Sequence, residues 1–210
     1  MEMRIRIEDY SKKIRKDYVL NHVNLELLSG NIYGIVGQNG SGKTMLLRAI
    51  SGLIHPTTGK IYIDEKQLFK DFDFPENIGI LIEKPDFLSY LSGFENLKLL
   101  SEIRGKATVE DIKKYLNMFN LDSESKQSMK KFSLGMKQKI GIIQAIMEEP
   151  DVLVLDEPFN ALDQEAVKLL RELLLNFQNK GKLVVITSHH KDDIESVCNK
   201  IIRIDRGQIV

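Results

Sequence analysis

The chain has 210 residues, enough for one domain with a sizeable buried core but too few for two full domains. Hydrophobic residues make up 42% and charged residues 29%, which fits a globular protein and excludes a disordered or collagenous one. Lys and Arg together number 30 and so do Asp and Glu, giving a formal net charge of +0. No overall positive field therefore indicates a nucleic-acid partner, and we expect none.

The sequence predicts no membrane-spanning helix, because no stretch approaches the roughly 18 consecutive apolar residues that one needs. The first ten residues, MEMRIRIEDY, alternate charges with apolar residues, which argues against a signal peptide. We therefore expect any membrane role to depend on a partner. The single cysteine, Cys198, has no internal disulfide partner, which favours a reducing compartment, and we interpret it as a small apolar filler.

Predicted strands fall into two groups along the chain. Alternation of apolar and polar residues in 3–7 and 19–27 predicts two half-buried antiparallel strands, followed by a turn at 28–30. Short continuous apolar runs are typical of parallel strands that are covered on both faces. Such runs occupy residues 32–36, 78–82, 152–155 and 183–187. The pattern predicts the α/β class, with a mainly parallel sheet and an antiparallel N-terminal part.

Helical signals fill the gaps between these runs. Apolar residues at helical spacing in 136–147 and 167–177 predict two core helices. A capping box of Ser92 and Glu95 predicts the start of another helix, and Thr108 with Asp111 predicts a further one. The charged tract 122–131 is typical of a solvated loop. We therefore predict one domain over 1–210, with a core of 1–85 and 150–210 and a helical insertion of 86–149.

A phosphate-binding loop is predicted at residues 37–44, GQNGSGKT, which fit the pattern G-x-x-x-x-G-K-[ST]. The loop lies between the predicted strand 32–36 and the apolar helix 45–50, as the pattern requires. Its glycines let successive N–H groups face a phosphate, Lys43 would bridge the β- and γ-phosphates, and the Thr44 hydroxyl would hold Mg²⁺. The predicted nucleotide-binding residues of this loop are Gly37, Asn39, Gly40, Ser41, Gly42, Lys43 and Thr44.

Two acidic residues, Asp156 and Glu157, follow the apolar run 152–155. Asp156 would lie beside the metal ion, and Glu157 would polarise the attacking water as the catalytic base. Buried strands often end in polar residues, so the pair is weak evidence alone. Together with the phosphate loop it predicts a nucleoside triphosphatase.

Further motifs carry a resemblance to one family. Residues 132–158, FSLGMKQKIGIIQAIMEEPDVLVLDEP, resemble the signature helix and Walker B strand of ATP-binding cassette (ABC) ATPases. Residues 160–163 resemble the D-loop of these proteins, and residues 187–189 their switch histidine. With the phosphate loop, the resemblance covers nearly the whole chain. Within the family, residues 78–100 are most similar to ATPase subunits of bacitracin and lantibiotic-immunity exporters.

The resemblance implies a P-loop core, ATP and Mg²⁺ as cofactors, and a homodimer packed head to tail with ATP at the interface. Ser133 and Gly135 of the signature would touch the γ-phosphate across the dimer. His189 would hydrogen-bond the γ-phosphate, and Asp163 would couple the two sites. These roles follow from the family likeness rather than from the spacing of the residues.

Three departures from the family pattern concern single residues. The signature reads FSLGM where LSGGQ is usual, although its serine and one glycine remain. Glu83 stands where the family has a Q-loop glutamine; we expect it to act in catalysis and to ligate the metal with Thr44 and Asp156, the alternative being an ordinary solvent-facing charge. Ile14 aligns with the aromatic residue that stacks on adenine, and Tyr18 is the nearby substitute for that contact.

The leading functional hypothesis is an ATP-hydrolysing subunit that powers an ABC membrane exporter, bound to separately encoded permease subunits at the cytoplasmic face of the membrane. The alternative is a soluble ABC ATPase in a non-transport complex, although such proteins usually carry two cassettes, a coiled-coil insertion or a basic arm. A regulatory module without turnover is disfavoured because Lys43, Asp156, Glu157 and His189 are all present. The signature and switch motifs exclude a small-molecule P-loop kinase.

Overall fold

The computed structural model describes residues 3–83 and 85–210. The strands in chain order are β1 (Arg4–Ile14), β2 (Asp17–Leu28), β3 (Ile32–Val36), β4 (Thr58–Ile63), β5 (Lys66–Gln67), β6 (Ile78–Leu81), β7 (Val152–Leu155), β8 (Leu183–Thr187), β9 (Lys200–Asp205) and β10 (Gln208–Ile209). The helices are α1 (Lys43–Ile50), α2 (Gly93–Arg104), α3 (Val109–Met118), α4 (Leu134–Ile146), α5 (Gln164–Asn179) and α6 (Lys191–Val197), with a 3₁₀ helix at Met129–Lys131.

The smaller sheet is antiparallel and has the strand order β2-β1-β4-β5. The two strands predicted for this sheet are confirmed as β1 and β2. Both are longer than the segments of strict apolar–polar alternation, because bulges in β1 shift the register while the pairing continues. The apolar side chains of Ile5, Ile7 and Tyr10 are buried beneath this sheet. Strands β4 and β5 were not predicted from the sequence.

The larger sheet has the order β10-β9-β3-β8-β7-β6. All pairings from β9 to β6 are parallel, and β10 adds an antiparallel edge. The four apolar runs predicted as parallel strands are therefore confirmed as β3, β6, β7 and β8. Because parallel strands share one direction, the segments that follow β3, β6, β7 and β8 emerge at the same edge, where ligands of open α/β sheets bind.

Two apolar clusters cover the faces of the larger sheet. On one face, Leu46, Leu47 and Ile50 of α1 pack with the smaller sheet, so β3 is sandwiched between apolar layers. On the other face, α4 and α5 pack with the helices that follow β6. Cys198 is half-buried, and burial raises the pKa of its thiol to about 12.

The helices between β6 and β7 begin as the sequence predicted. Ser92 Oγ accepts a hydrogen bond from the Glu95 amide and the Glu95 carboxylate accepts one from the Ser92 amide, which lowers the pKa of Glu95. Thr108 and Asp111 form the second capping box. The predicted α/β class, with an antiparallel N-terminal sheet and a helical insertion that carries the signature residues, is confirmed. No helix within residues 3–83 and 85–210 is long and apolar enough to cross a membrane.

Candidate nucleotide-binding site

The loop between β3 and α1 is held closed by its own lysine. The Lys43 side chain is buried, and its Nζ donates to the carbonyl oxygens of Gly37 at 2.8 Å and Gln38 at 3.1 Å. The first hydrogen bond of α1 runs from the Leu46 amide to Gly42 O. The preceding N–H groups therefore lie at the positive end of the helix dipole, which attracts an anion.

Ser41 adds a polar group that fits a phosphate. Ser41 is only 5% exposed, and its Oγ has no hydrogen-bond partner among the described residues. A buried hydroxyl without a partner costs stability, so its place inside a phosphate loop is best explained by a ligand oxygen. The buried ammonium, the free helical amides and this hydroxyl together fit a triphosphate.

Asp156 brings carboxylate oxygens to the phosphate loop. Thr44 Oγ1 donates to Asp156 Oδ2 at 2.7 Å, and Thr187 Oγ1 donates to Asp156 Oδ1 at 2.5 Å. The three residues meet because β3, β7 and β8 end at the same edge. Within the described parts of the chain, no group of three or more His, Cys, Asp or Glu side chains could hold a metal alone. The oxygen pair fits Mg²⁺, which usually keeps waters and phosphate oxygens as its other ligands.

Glu157 and His189 form a second polar pair at this edge. His189 Nδ1 lies 2.8 Å from Glu157 Oε2, and the His189 amide donates to the same oxygen at 3.2 Å. The Glu157 amide donates to Thr187 Oγ1 at 2.9 Å, and its φ of 50° is left-handed. Such backbone strain in a non-glycine residue is typical of functional sites, where the surrounding structure holds the residue in place.

A cavity of about 730 Å³ opens beside these residues. Its phosphate end is lined by the loop, by the start of α1 and by both acidic residues; these are Asn39, Gly40, Gly42, Lys43, Thr44, Met45, Asp156 and Glu157. Its other end is lined by Tyr18 and Val19 of β2 and by Arg206 and Gly207 of the β9–β10 turn. The cavity therefore has an anion-binding end and a second end formed by two hairpins.

Glu83 and Ile14 are among the predicted site residues that do not line this cavity. The Glu83 carboxylate pairs with Arg48 Nη2 at 2.8 Å and is 57% exposed. Glu83 does not line the cavity, so in this conformation the structure does not bring it to Thr44 and Asp156. Ile14 at the end of β1 is 45% exposed and also lies outside the lining, whereas Tyr18 is part of it. Of the two candidates for the contact with the base, only Tyr18 lines the cavity.

The signature residues shape the start of α4. Ser133 caps this helix by accepting a hydrogen bond from the Met136 amide at 3.1 Å. A Cβ on Gly135 would lie 2.4 Å from Ala161 O, so only glycine lets α4 pack so closely on the loop before α5. Neither Ser133 nor Gly135 lines the cavity of its own chain.

Asp163 ties this loop to α4. It caps α5 through the Ala166 amide at 2.8 Å, and Lys139 Nζ lies 2.6 Å from its Oδ2. The hydrogen bond from Lys139, followed by that from Ala166, holds the pKa of Asp163 below its usual value. Gln138 makes a parallel link, since its Nε2 donates to the carbonyl oxygens of Glu157 at 3.3 Å and Pro158 at 3.2 Å.

Sequence reasoning missed Gln138 and Lys139 as site residues. The signal that could have found them is their position directly after the signature, on a helix whose other residues are mostly apolar. Lys139 is only 8% exposed. A charged lysine is rarely so buried unless it has a specific partner, which here is Asp163.

Comparison with known proteins identifies relatives over the whole chain. The model of the family "ABC transporter" matches residues 20–160. The ABC transporter ATP-binding protein YybJ of Bacillus subtilis (strain 168) is 44% identical, over 98% of this chain and 94% of that protein. The bacitracin transport ATP-binding protein BcrA of Enterococcus faecalis is 36% identical, over 100% of this chain and 69% of that protein. The lantibiotic transport ATP-binding protein SrtF of Streptococcus pyogenes is 32% identical, over 98% and 89%.

Solved structures share the fold. The ATP-binding subunit of an ABC transporter matches with a TM-score of 0.88 at 27% identity, covering 98% of this chain and 87% of that one. The dimeric bacterial ABC transporter cassette MJ0796 matches with a TM-score of 0.83 at 27% identity, covering 98% and 96%. Fold and site thus define a P-loop nucleotide-binding protein. With the family match, the chain belongs to the ABC transporter family, as an ATP-hydrolysing subunit.

Proposed function

We propose that the chain drives a membrane exporter as a head-to-tail homodimer, bound to separately encoded permease subunits at the cytoplasmic face of the membrane. The names of two relatives, which refer to bacitracin and lantibiotic transport, support a peptide-antibiotic class of cargo. The observation that carries the proposal is the meeting of Lys43, Asp156 and Glu157 at one edge of the larger sheet, beside a cavity that the signature residues of the same chain do not line.

In this site the nucleotide is ATP and the metal ion is Mg²⁺. Lys43, the Ser41 hydroxyl and the amides at the start of α1 bind the β- and γ-phosphates. The hydroxyl of Thr44 and the carboxylate of Asp156, which are 2.7 Å apart, hold the ion directly or through water. Mg²⁺, when bound, neutralises charge that develops on the phosphate oxygens.

Glu157 accepts the proton of the attacking water. Its carboxylate is fixed by the amide and the ring of His189, and its backbone is fixed by Thr187. When ATP binds, we expect the ring of His189 to leave Glu157 and to form a hydrogen bond with the γ-phosphate. Glu83 joins the metal site only after its ion pair with Arg48 breaks, because that pair keeps the carboxylate outside the cavity.

A second copy of the chain completes the site. Ser133 and Gly135 lie at the N-terminus of α4, outside the cavity of their own chain. A two-fold axis pairs each phosphate loop with the signature of the other chain. The N-terminus of α4 then faces the γ-phosphate with its positive dipole end, and Asp163 next to Lys139 connects the two sites.

A mixing experiment with two inactive variants tests the head-to-tail arrangement. Lys43→Ala removes the phosphate contact of one chain. Ser133→Asp keeps a good helix cap but adds a negative charge that repels the γ-phosphate. A mixed dimer collects both defects in one site and leaves the other site intact. At equal amounts, half of the dimers are mixed, so we expect up to about a quarter of wild-type ATP turnover, although each variant alone is nearly inactive.

The control is a mixture of Lys43→Ala with a chain that carries both substitutions, which leaves every site defective. Turnover of the two-variant mixture no higher than this control would contradict the head-to-tail dimer.

Co-purification of the tagged chain with a multi-span membrane protein tests the exporter role. Recovery only in a complex without membrane proteins would favour the soluble, non-transport alternative.

A further inference from the structure

We propose that the guanidinium group of Arg206 contacts the base of the bound nucleotide and contributes to the affinity for nucleotides. This inference rests on the proposed function and concerns the part of the nucleotide cavity that β2 and the β9–β10 turn line. No motif of the sequence assigns a role to Arg206.

The cavity itself locates the base. Its anion-binding end is set by Lys43, Thr44 and Asp156. A nucleotide extends away from its phosphates, so its ribose and base lie against the remaining lining, which β2 and the β9–β10 turn provide. Tyr18, Val19, Arg206 and Gly207 form this part of the lining.

Tyr18 alone gives the base a limited aromatic surface. Its ring is 50% exposed, and Lys13 Nζ lies 5.3 Å from the ring centroid. One face of the ring is therefore close to an ammonium group rather than free for stacking. Ile14, which stands at the position of the usual aromatic residue, does not line the cavity. Arg206 is the other residue of this part of the lining whose side chain has a planar group.

The turn that carries Arg206 is fixed to the site on both sides. The Gly207 amide donates to Ser41 O at 2.8 Å, and Gly207 O accepts from the Asn21 amide at 2.8 Å. A Cβ on Gly207 would lie 2.7 Å from Val19 O, so the turn packs directly against β2. The backbone of Arg206, with a φ of 46°, is consequently held between the phosphate loop and the strand that bears Tyr18.

The side chain of Arg206 is free to bind a ligand. Arg206 is exposed, and no ion pair or side-chain hydrogen bond of its guanidinium is present within residues 3–83 and 85–210. A guanidinium is planar and weakly hydrated, stacks on aromatic rings and donates to ring nitrogens and carbonyl oxygens. A lysine at this position would offer charge without the planar surface.

The test compares ligands with and without a base. Binding of the non-hydrolysable ATP analogue AMP-PNP and of inorganic tripolyphosphate is measured by calorimetry, each with Mg²⁺, for the wild-type chain, Arg206→Ala and Arg206→Lys. Both variants should raise the Kd for AMP-PNP about 3- to 10-fold, as expected for a cation–π contact plus a hydrogen bond at an exposed site. The Kd for tripolyphosphate should stay unchanged. Ala meets the same left-handed backbone cost as Arg, so the turn is preserved.

Gln208→Ala is the matched control, because Gln208 is an exposed neighbour on the same hairpin and does not line the cavity. Equal weakening of tripolyphosphate would mean that Arg206 binds phosphate. A change in AMP-PNP affinity below threefold, or full affinity in Arg206→Lys, would also overturn the inference. Wild-type protein that binds neither ligand would instead refute the proposed function.

Discussion

At the scale of single residues, Glu157 has the position that a general base needs. It follows a fully buried strand, its amide and carboxylate are both hydrogen-bonded, and its backbone is left-handed. These contacts fix one orientation of the carboxylate at the edge of the cavity. Asp156, one residue earlier, instead accepts hydrogen bonds from two hydroxyl groups, which suits a metal-binding role.

Glu157→Gln should preserve ATP binding and lower turnover by about 10²–10⁴-fold, because an amide has a similar shape but cannot accept the proton. Phosphate release and nucleotide binding measure the two effects. Glu172→Gln, the same change on an exposed face of α5, is the control and should be active. Turnover close to the wild type in Glu157→Gln would show that another group polarises the water.

At the scale of elements, α4 and α5 meet through a few polar contacts. The carboxylate of Asp163 caps α5 and also binds the buried ammonium of Lys139 on α4. Gly135 allows the close approach of the two segments. The signature helix is therefore in direct contact with the loop that follows Glu157.

Two substitutions of Asp163 distinguish the contribution of its helix cap from that of its ion pair with Lys139. Asp163→Ala removes the cap and the ion pair and should lower the free energy of unfolding by about 1–2 kcal/mol. Asp163→Asn keeps a capping oxygen and loses only the charge that pairs with the buried Lys139 ammonium, so its loss should be smaller than that of Asp163→Ala, which loses both contacts. Urea unfolding at pH 7 measures both. Equal losses in the two variants would show that the cap contributes nothing.

The same pair predicts a pH dependence. Because the pKa of Asp163 is lowered in the folded state, its contribution is complete above the ordinary carboxyl pKa, near 4, and is lost as the pH falls through the folded value. The difference in unfolding free energy between the wild type and Asp163→Ala should therefore shrink below about pH 4. A constant difference across this range would mean that the negative charge is not involved.

At the scale of the whole molecule, the cavity is built from one chain but the signature residues are not part of its lining. The proposed site, in which Lys43 and Ser133 meet at one γ-phosphate, is formed by two copies of the chain. Solved structures with this fold include a dimeric cassette.

Specific ATPase activity of the isolated chain should consequently rise with protein concentration, because association precedes hydrolysis. Phosphate release over a dilution series, with sedimentation at the same concentrations, measures this. Lys43→Ala provides the background rate at each concentration. A constant specific activity from a chain that sediments as a monomer throughout would contradict the composite site.

The sequence by itself determined the local features. The strands β3, β6, β7 and β8, the two capping boxes and the phosphate loop each depend on residues that are close together in the chain, where periodicity and residue type carry the information. Strand β9 escaped prediction because it exposes four of its six residues and so has no continuous apolar run.

Only the tertiary structure decided the partners of residues that are far apart in sequence. It paired Glu83 with Arg48 and Lys139 with Asp163. It also placed Tyr18, rather than Ile14, in the lining of the nucleotide cavity, together with Arg206. The physical reason is that an apolar pattern fixes which face of an element is buried, whereas the neighbour of an exposed polar side chain depends on how separate elements pack. A charged side chain can reach several partners, and the sequence does not rank them.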